Sequence, residues 1–125
     1  MIKALDIPIY NTNVLFLVET TIDEFEEFCK DNRDGFTDEE YENAKQEIES
    51  GEYSGYVNNL TYRGYICYIR ENKVKYYDHE LCHVATRILK DRGIGVDDND
   101  EPLAYLKAWI TEQYLELVNQ MIDEI

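Results

Sequence analysis

The chain has 125 residues, of which 44% are apolar and 13% aromatic. This composition suffices for a packed core and is too apolar for a disordered chain, so we expect one domain over residues 1–125. Acidic residues outnumber basic residues 27 to 12, which gives a formal net charge of -15. Because such a field repels phosphate backbones and anionic lipid surfaces, we predict neither nucleic acid nor a membrane as a partner.

The apolar runs and the cysteines predict a cytoplasmic protein. The longest purely apolar run, residues 14–18, is too short for a membrane span or a signal-peptide core. The three cysteines are odd in number and form no CxxC pair, which fits reduced, structural thiols better than a disulfide framework. These cysteines are Cys29, Cys67 and Cys82.

The first half of the sequence predicts a β-hairpin and two helices. Residues 7–10 and 14–19 are rich in β-branched and aromatic side chains and are separated by polar residues, as in a hairpin. Each predicted helix begins with a capping-box pattern, a threonine followed three residues later by glutamate. The second helix is very acidic and stops at Gly51. The two capping pairs are Thr21 with Glu24 and Thr37 with Glu40.

The second half predicts strands followed by two more helices. Residues 53–77 are dominated by tyrosines and β-branched residues, which favours two or three antiparallel strands. A helix over residues 78–92 ends at Gly93, and a last long helix covers residues 100–122. The order of hairpin, helices, sheet and two helices predicts an α+β protein.

The two histidines of the chain, His79 and His83, frame a five-residue motif, HExxH. On a helix these two positions lie about 40° apart around the axis and roughly 6 Å apart along it, so both imidazoles can reach one metal ion. Glu80 projects to the side, where its carboxylate can act as a general base. A helical wheel places the apolar residues on nearly the opposite side from both histidines. Those apolar residues are Leu81, Val84, Ala85, Ile88 and Leu89.

A catalytic zinc site usually has three protein ligands and one open position. No further histidine exists, and the cysteines lack zinc-site spacing, so a carboxylate is the expected third ligand. Glu101 is our choice, because it stands in the first turn of the last predicted helix, where the helix dipole favours a carboxylate. For the neighbouring Asp97, Asp98 and Asp100, a solvated capping role is the expectation.

The segment from Tyr62 to Glu112 resembles the gluzincin metallopeptidases, and its sequence pattern is similar to that of small zincin-like proteins of phages and prophages. The resemblance rests on His79, Glu80 and His83, the helix stop at Gly93 and then Glu101. It implies a zincin-like core, a short antiparallel or mixed sheet whose edge strand lies beside the active-site helix. It also implies Zn²⁺ bound by the two histidines and Glu101, and hydrolysis of peptide bonds with Glu80 as general base.

This resemblance makes a zinc metallopeptidase acting on a peptide or protein substrate the first hypothesis. Tyr105 and Tyr77 are candidate donors to the oxyanion, although packing or surface stacking is the alternative for each. Residues 64–70 are a candidate strand for adding an extended substrate at the sheet edge. In a weaker version the metal is bound without turnover, since so small a domain offers little groove and needs a protein partner or a homodimer to complete it.

The second hypothesis is an interaction protein that uses its acidic surface. A phage-type inhibitor, or a DNA mimic that occupies a basic groove, would depend on the carboxylates of residues 37–52, and any metal would be structural. Simple solubility explains a charged helix face equally well. Loss of function in Glu80→Gln would indicate the peptidase, whereas affinity that falls with salt and ignores chelators would indicate the inhibitor.

Overall fold

Residues 1–123 contain one mixed four-stranded sheet with helices on both of its faces. The computed structural model describes residues 1–123, with side chains through residue 120. Its strands are β1 (Ile2–Ile7), β2 (Thr12–Val18), β3 (Gly55–Asn59) and β4 (Tyr65–Ile69), and its helices are α1 (Ile22–Asn32), α2 (Asp38–Ser50), α3 (Val74–Asp91) and α4 (Glu101–Asp123). The sheet order is β1-β2-β4-β3, with β2 and β4 parallel and the two outer pairs antiparallel. The predicted α+β class is confirmed.

Alternate residues of the central strands face two separate apolar clusters. Leu15 and Leu17 face the cluster that includes α1 and α2, whereas Val14, Phe16 and Val18 face the cluster formed with α3 and α4. Every residue of β4 is buried, as expected for a strand covered on both sides. The sheet therefore separates the acidic helix α2 from the helix that carries the HExxH motif.

The two C-terminal helices cover different halves of one face of the sheet. Helix α3 contacts β3 and β4, whereas α4 contacts α3 and β1. Tyr114 of α4 packs edge-on against Phe16 of β2, with ring centroids 5.5 Å apart. Consequently, one flank of α3 meets α4 and the other flank faces the edge strand β3.

Both predicted capping boxes are present. The Thr21 hydroxyl accepts a hydrogen bond from the Glu24 backbone N–H at 3.2 Å, and the Glu24 carboxylate accepts one from the Thr21 backbone N–H at 3.1 Å. The same reciprocal pair joins Thr37 and Glu40. Gly51 ends α2 with a φ of 69°, a left-handed conformation that glycine adopts without strain.

Three sequence-based predictions are wrong in detail. The first strand covers Ile2–Ile7, and Pro8–Tyr10 form a short 3-10 turn, because proline has no N–H for a strand ladder. Helix α3 begins at Val74, four residues before the predicted start. Residues 64–70 are not at the sheet edge, since β4 lies between β2 and β3.

No helix in residues 1–123 combines the length and the apolar character needed to cross a bilayer.

Candidate metal centre

The two histidines of the HExxH motif lie side by side on the flank of α3 that faces β3. Their Nε2 atoms are 3.1 Å apart, and their ring centroids are 4.6 Å apart with the ring planes at 84°. Both residues are exposed, and the predicted apolar side of the same helix is buried. The helical spacing therefore brings both imidazoles to one point, as predicted.

The separation of the two ring nitrogens matches two positions of a tetrahedral metal site. Two nitrogens bound to zinc at about 2.0–2.1 Å with tetrahedral angles lie roughly 3.3–3.4 Å apart. The observed 3.1 Å between His79 Nε2 and His83 Nε2 falls within a few tenths of an ångström of that value. The same distance also allows an N–H···N hydrogen bond between two neutral rings. The donor pair thus fits zinc, and zinc binding itself stays a prediction.

The surroundings of the His83 ring favour its neutral form. Desolvation lowers the pKa of His83 below its ordinary value, and the neighbouring His79 and Arg87 lower that pKa further. A neutral imidazole keeps one nitrogen lone pair, which is what metal binding requires. The lowered pKa of His83 therefore favours the form of its side chain that can act as a ligand.

Glu80 is buried beneath the histidines, between α3 and β3. Only 4% of its surface is exposed. Its Oε1 atom lies 4.0 Å from His79 Nε2 and accepts a hydrogen bond of 3.4 Å from the Ser54 hydroxyl. Desolvation raises the pKa of Glu80 above its ordinary value, although His79 and the Ser54 hydrogen bond oppose that rise. The carboxylate is thus beside the nitrogen pair and has the raised proton affinity useful in a general base.

The carboxylate has room only because residue 55 is glycine. A Cβ on Gly55 would lie 2.6 Å from Glu80 Cγ and 2.3 Å from the Tyr68 carbonyl oxygen. Both distances are shorter than nonbonded contacts allow. Gly55 therefore lets α3 approach the edge strand closely enough to bury Glu80.

The histidines and Glu80 open onto a cleft between the start of β3 and α3. Its volume is about 260 Å³. One wall is the segment 53–57, and the other is the α3 surface that carries the motif and Arg87. In the sheet, β3 has β4 as its one neighbour, so the outer edge of β3 runs beside the cleft. The gluzincin resemblance implies an edge strand next to the motif helix, and β3 lies there; the zincin-like core itself stays a prediction.

Arg70 fixes the segment that leads into this cleft. Its Nε donates to the Tyr53 carbonyl at 2.6 Å, and its Nη2 donates to the Glu47 carbonyl at 2.8 Å. The backbone N–H of Arg70 also donates to the Ser54 carbonyl at 2.9 Å. One guanidinium therefore joins the end of α2 to the residues that position the Ser54 hydroxyl over Glu80.

The structure does not bring Glu101 together with the histidines. Glu101 begins α4, is exposed, and its backbone N–H donates to Asn99 Oδ1 at 3.1 Å. The last helix does pack against the motif helix, as predicted, but on the flank toward β1, whereas the cleft opens on the flank toward β3. Within the described residues, no three His, Cys, Asp or Glu side chains form a group that could hold a metal ion.

The two candidate tyrosines also lie outside the cleft. Tyr105 is 74% exposed and lines a separate apolar groove with Pro8 and Trp109. Tyr77 packs against Tyr114 with ring centroids 5.1 Å apart. The residues lining the cleft include neither tyrosine, so the structure supports packing or surface roles for both.

Sequence reasoning missed Ser54, Gly55 and Arg87. Arg87 follows His83 at the same four-residue spacing that joins the two histidines, so a helical wheel was sufficient to place it on the cleft side. Ser54 and Gly55 precede a strand whose pairing is nonlocal, and no local pattern places them against α3.

Comparison with known proteins gave no match to a protein-family model, to a curated protein or to a solved structure.

Proposed function

We propose that this protein is a zinc-dependent hydrolase of peptide bonds, of zincin-like type. The observation that carries the proposal is the 3.1 Å separation of His79 Nε2 and His83 Nε2 directly beside the buried Glu80. Neither a solvated surface pair nor a core pair explains why a carboxylate is buried next to two exposed rings. A cleft bordered by a free sheet edge adds a place for an extended peptide.

In this proposal His79 and His83 hold the ion, and Glu80 receives the proton of the attacking water. When bound, zinc supplies Lewis acidity, which polarises a carbonyl and lowers the pKa of water. The Ser54 hydroxyl orients the Glu80 carboxylate by its 3.4 Å hydrogen bond. Burial of Glu80 raises its pKa and thereby improves it as a proton acceptor near neutral pH.

The substrate chain is proposed to add to the outer edge of β3. An extended peptide there makes backbone hydrogen bonds like those of a further strand, which holds it irrespective of most of its side chains. Segment 53–57 would then present the scissile bond to the side of α3 that carries His79 and Glu80. This role belongs to β3, since β4 is enclosed by two strands.

Zinc content and turnover test this function together. We expect one zinc per chain in protein purified under reducing conditions, loss of that zinc in His79→Ala and in His83→Ala, and its retention in Glu80→Gln. Because the chain has only two histidines, a histidine-dependent metal signal reports on this site alone. Cleavage of a random peptide mixture should disappear in all three variants.

Two results would contradict the peptidase. One is wild-type protein that binds no transition metal, and the other is Glu80→Gln protein that cleaves peptides as well as wild type. X-ray absorption spectroscopy of the zinc-loaded protein would further count its nitrogen and oxygen ligands.

The acidic interaction protein is the second candidate, and the exposed carboxylates of α2 favour it. Asp38, Glu39, Glu42 and Glu49 are all exposed on that helix, on the sheet face opposite the motif. A partner with a basic groove, including one that normally binds DNA, would be recognised by this surface. Binding that weakens with salt, persists in chelator and is unchanged in Glu80→Gln would establish this role instead.

A further inference from the structure

Arg87 extends the row of functional side chains along α3. His79, His83 and Arg87 follow one another at intervals of four residues, so they share one face of the helix, and all three line the cleft. Arg87 therefore stands one helical turn beyond the histidine pair, on the same side as the outer edge of β3.

The guanidinium of Arg87 is held in place from the far end of β3. Its Nη1 donates to Asn59 Oδ1 at 3.0 Å, and Asn59 Nδ2 donates to Asp91 Oδ2 at 2.7 Å. The same Asp91 oxygen accepts a hydrogen bond of 2.6 Å from the Tyr65 hydroxyl. Because each member of this chain is fixed by the next, the guanidinium is preorganised before any ligand arrives.

Arg87 is a cation in a cleft of a strongly acidic protein. The described residues form six ion pairs between an ammonium or guanidinium group and a carboxylate, and Arg87 takes part in none of them. Its Asn59 contact engages one of the five N–H donors of a guanidinium. The remaining donors form a fork that matches the two oxygens of a carboxylate.

We propose that Arg87 is a specificity-determining residue that binds a carboxylate of the substrate. His83 and Arg87 lie about 6 Å apart along the helix axis, and an extended peptide advances roughly 3.3–3.4 Å per residue. The recognised carboxylate therefore lies about two residues from the scissile carbonyl. Either a free C-terminus or an Asp or Glu side chain supplies it. This inference rests on the proposed peptidase function and narrows its substrate class.

Peptide binding to zinc-loaded Glu80→Gln protein tests the inference without consuming the peptide. The probes are three short N-acetylated alanine peptides: one with a free C-terminus, one with an amidated C-terminus, and one amidated with a single internal glutamate. We expect at least one carboxylate-bearing peptide to bind about tenfold more tightly than the neutral peptide. Adding Arg87→Gln should remove this difference, and the two carboxylate probes distinguish the sources.

Matched variants separate recognition from folding and from net charge. Lys90→Gln removes one positive charge from an exposed position of the same helix outside the cleft, and it should leave the preference intact. Arg87→Lys keeps the charge without the planar fork and should retain only part of the preference. Circular dichroism would verify that each variant is folded.

The outcomes also separate this inference from the proposed function. Zinc binding and cleavage with no Arg87-dependent preference would overturn the inference and leave the peptidase standing. An Arg87-dependent carboxylate preference in protein that binds no zinc would overturn the peptidase and leave Arg87 only as a carboxylate-binding residue of this cleft. Absence of binding by all three peptides would overturn the inference as well.

Discussion

Gly55 of the edge strand leaves the space into which Glu80 of the motif helix is buried. A Cβ at position 55 would lie 2.6 Å from Glu80 Cγ and 2.3 Å from the backbone oxygen of Tyr68. Because the second contact is with backbone of the central strand, a methyl group here cannot be accommodated by a side-chain rotation alone. The closeness of α3 to β3 therefore depends on this one glycine.

Gly55→Ala should lower the free energy of unfolding by about 1–3 kcal/mol through overpacking. It should also displace the Glu80 carboxylate and reduce the proposed peptidase activity more than the proposed zinc binding. Urea denaturation measures the first effect. Gly95→Ala is the control, since a Cβ there meets nothing within 4 Å, and its unfolding free energy should stay within about 0.5 kcal/mol of wild type. Equal stability of the two variants would contradict the close approach.

Glu80→Gln should stabilise the protein at neutral pH while abolishing the proposed peptidase activity. Burial raises the pKa of Glu80 in the folded state, so ionising this side chain weakens folding. Glutamine removes the charge and keeps the acceptor for the Ser54 hydroxyl. We expect a gain of roughly 0.5–1 kcal/mol, typical of replacing a functional residue that costs stability. Thermal or urea unfolding at neutral pH would measure it.

The stability gained in Glu80→Gln should depend on pH, because the pKa of Glu80 is raised in the folded state. Below the unfolded-state pKa of about 4.3, Glu80 is protonated in both states, so wild type and Glu80→Gln should be equally stable. The advantage of Glu80→Gln should grow as pH rises from there through the raised folded-state pKa. An advantage that is largest in acid would contradict the assignment of Glu80 as a desolvated carboxylate.

Glu101→Gln should leave zinc affinity nearly unchanged. Helix α4 lies on the β1 side of α3, away from the cleft, so the substitution should alter the zinc dissociation constant less than about threefold. His79→Ala should weaken zinc binding by 100-fold or more, since it removes one of the two nitrogen donors. Even the loss of a residue that only hydrogen-bonds a metal ligand weakens metal affinity by roughly 10–100-fold. Titration with a zinc indicator would compare the two. A large loss in Glu101→Gln would show that α4 rearranges to supply the third ligand.

Arg70→Gln should destabilise the entrance to the edge strand. The guanidinium donates to the carbonyls of Glu47, Ile48 and Tyr53, and its removal leaves these groups without that partner. We expect a loss of about 1–3 kcal/mol in unfolding free energy. Lys30→Gln breaks only an exposed ion pair with Glu27 and should change stability by less than about 1 kcal/mol.

The features that were predictable from sequence are those encoded within a few residues. The capping boxes at Thr21 and Thr37 are local, and so is the histidine pair, whose geometry follows from helix pitch alone. The start of α3 was misplaced because Val74 and the tyrosines after it have strand propensity. Packing of Tyr77 against Tyr114 is a tertiary contact that outweighs this propensity.

The features that were not predictable depend on distant pairings. Nothing near residues 65–69 indicates that they pair in parallel with β2, which makes β4 central and leaves β3 at the edge. The flank of α3 that receives α4 is similarly decided by the sheet beneath. The prediction of Glu101 as a ligand depends on which flank of α3 receives α4. The predictions for His79, Glu80 and His83 depend only on the geometry of α3 itself.

The parallel pairing of β2 with β4 also governs the order in which this molecule can assemble. Val14 lies opposite Tyr65 in that register, so the chain must close a long loop containing two helices and β3 before the centre of the sheet exists. Loop closure of this kind is slow compared with helix formation. Refolding kinetics should therefore show helical signal first, with the cleft between β3 and α3 among the last parts to form.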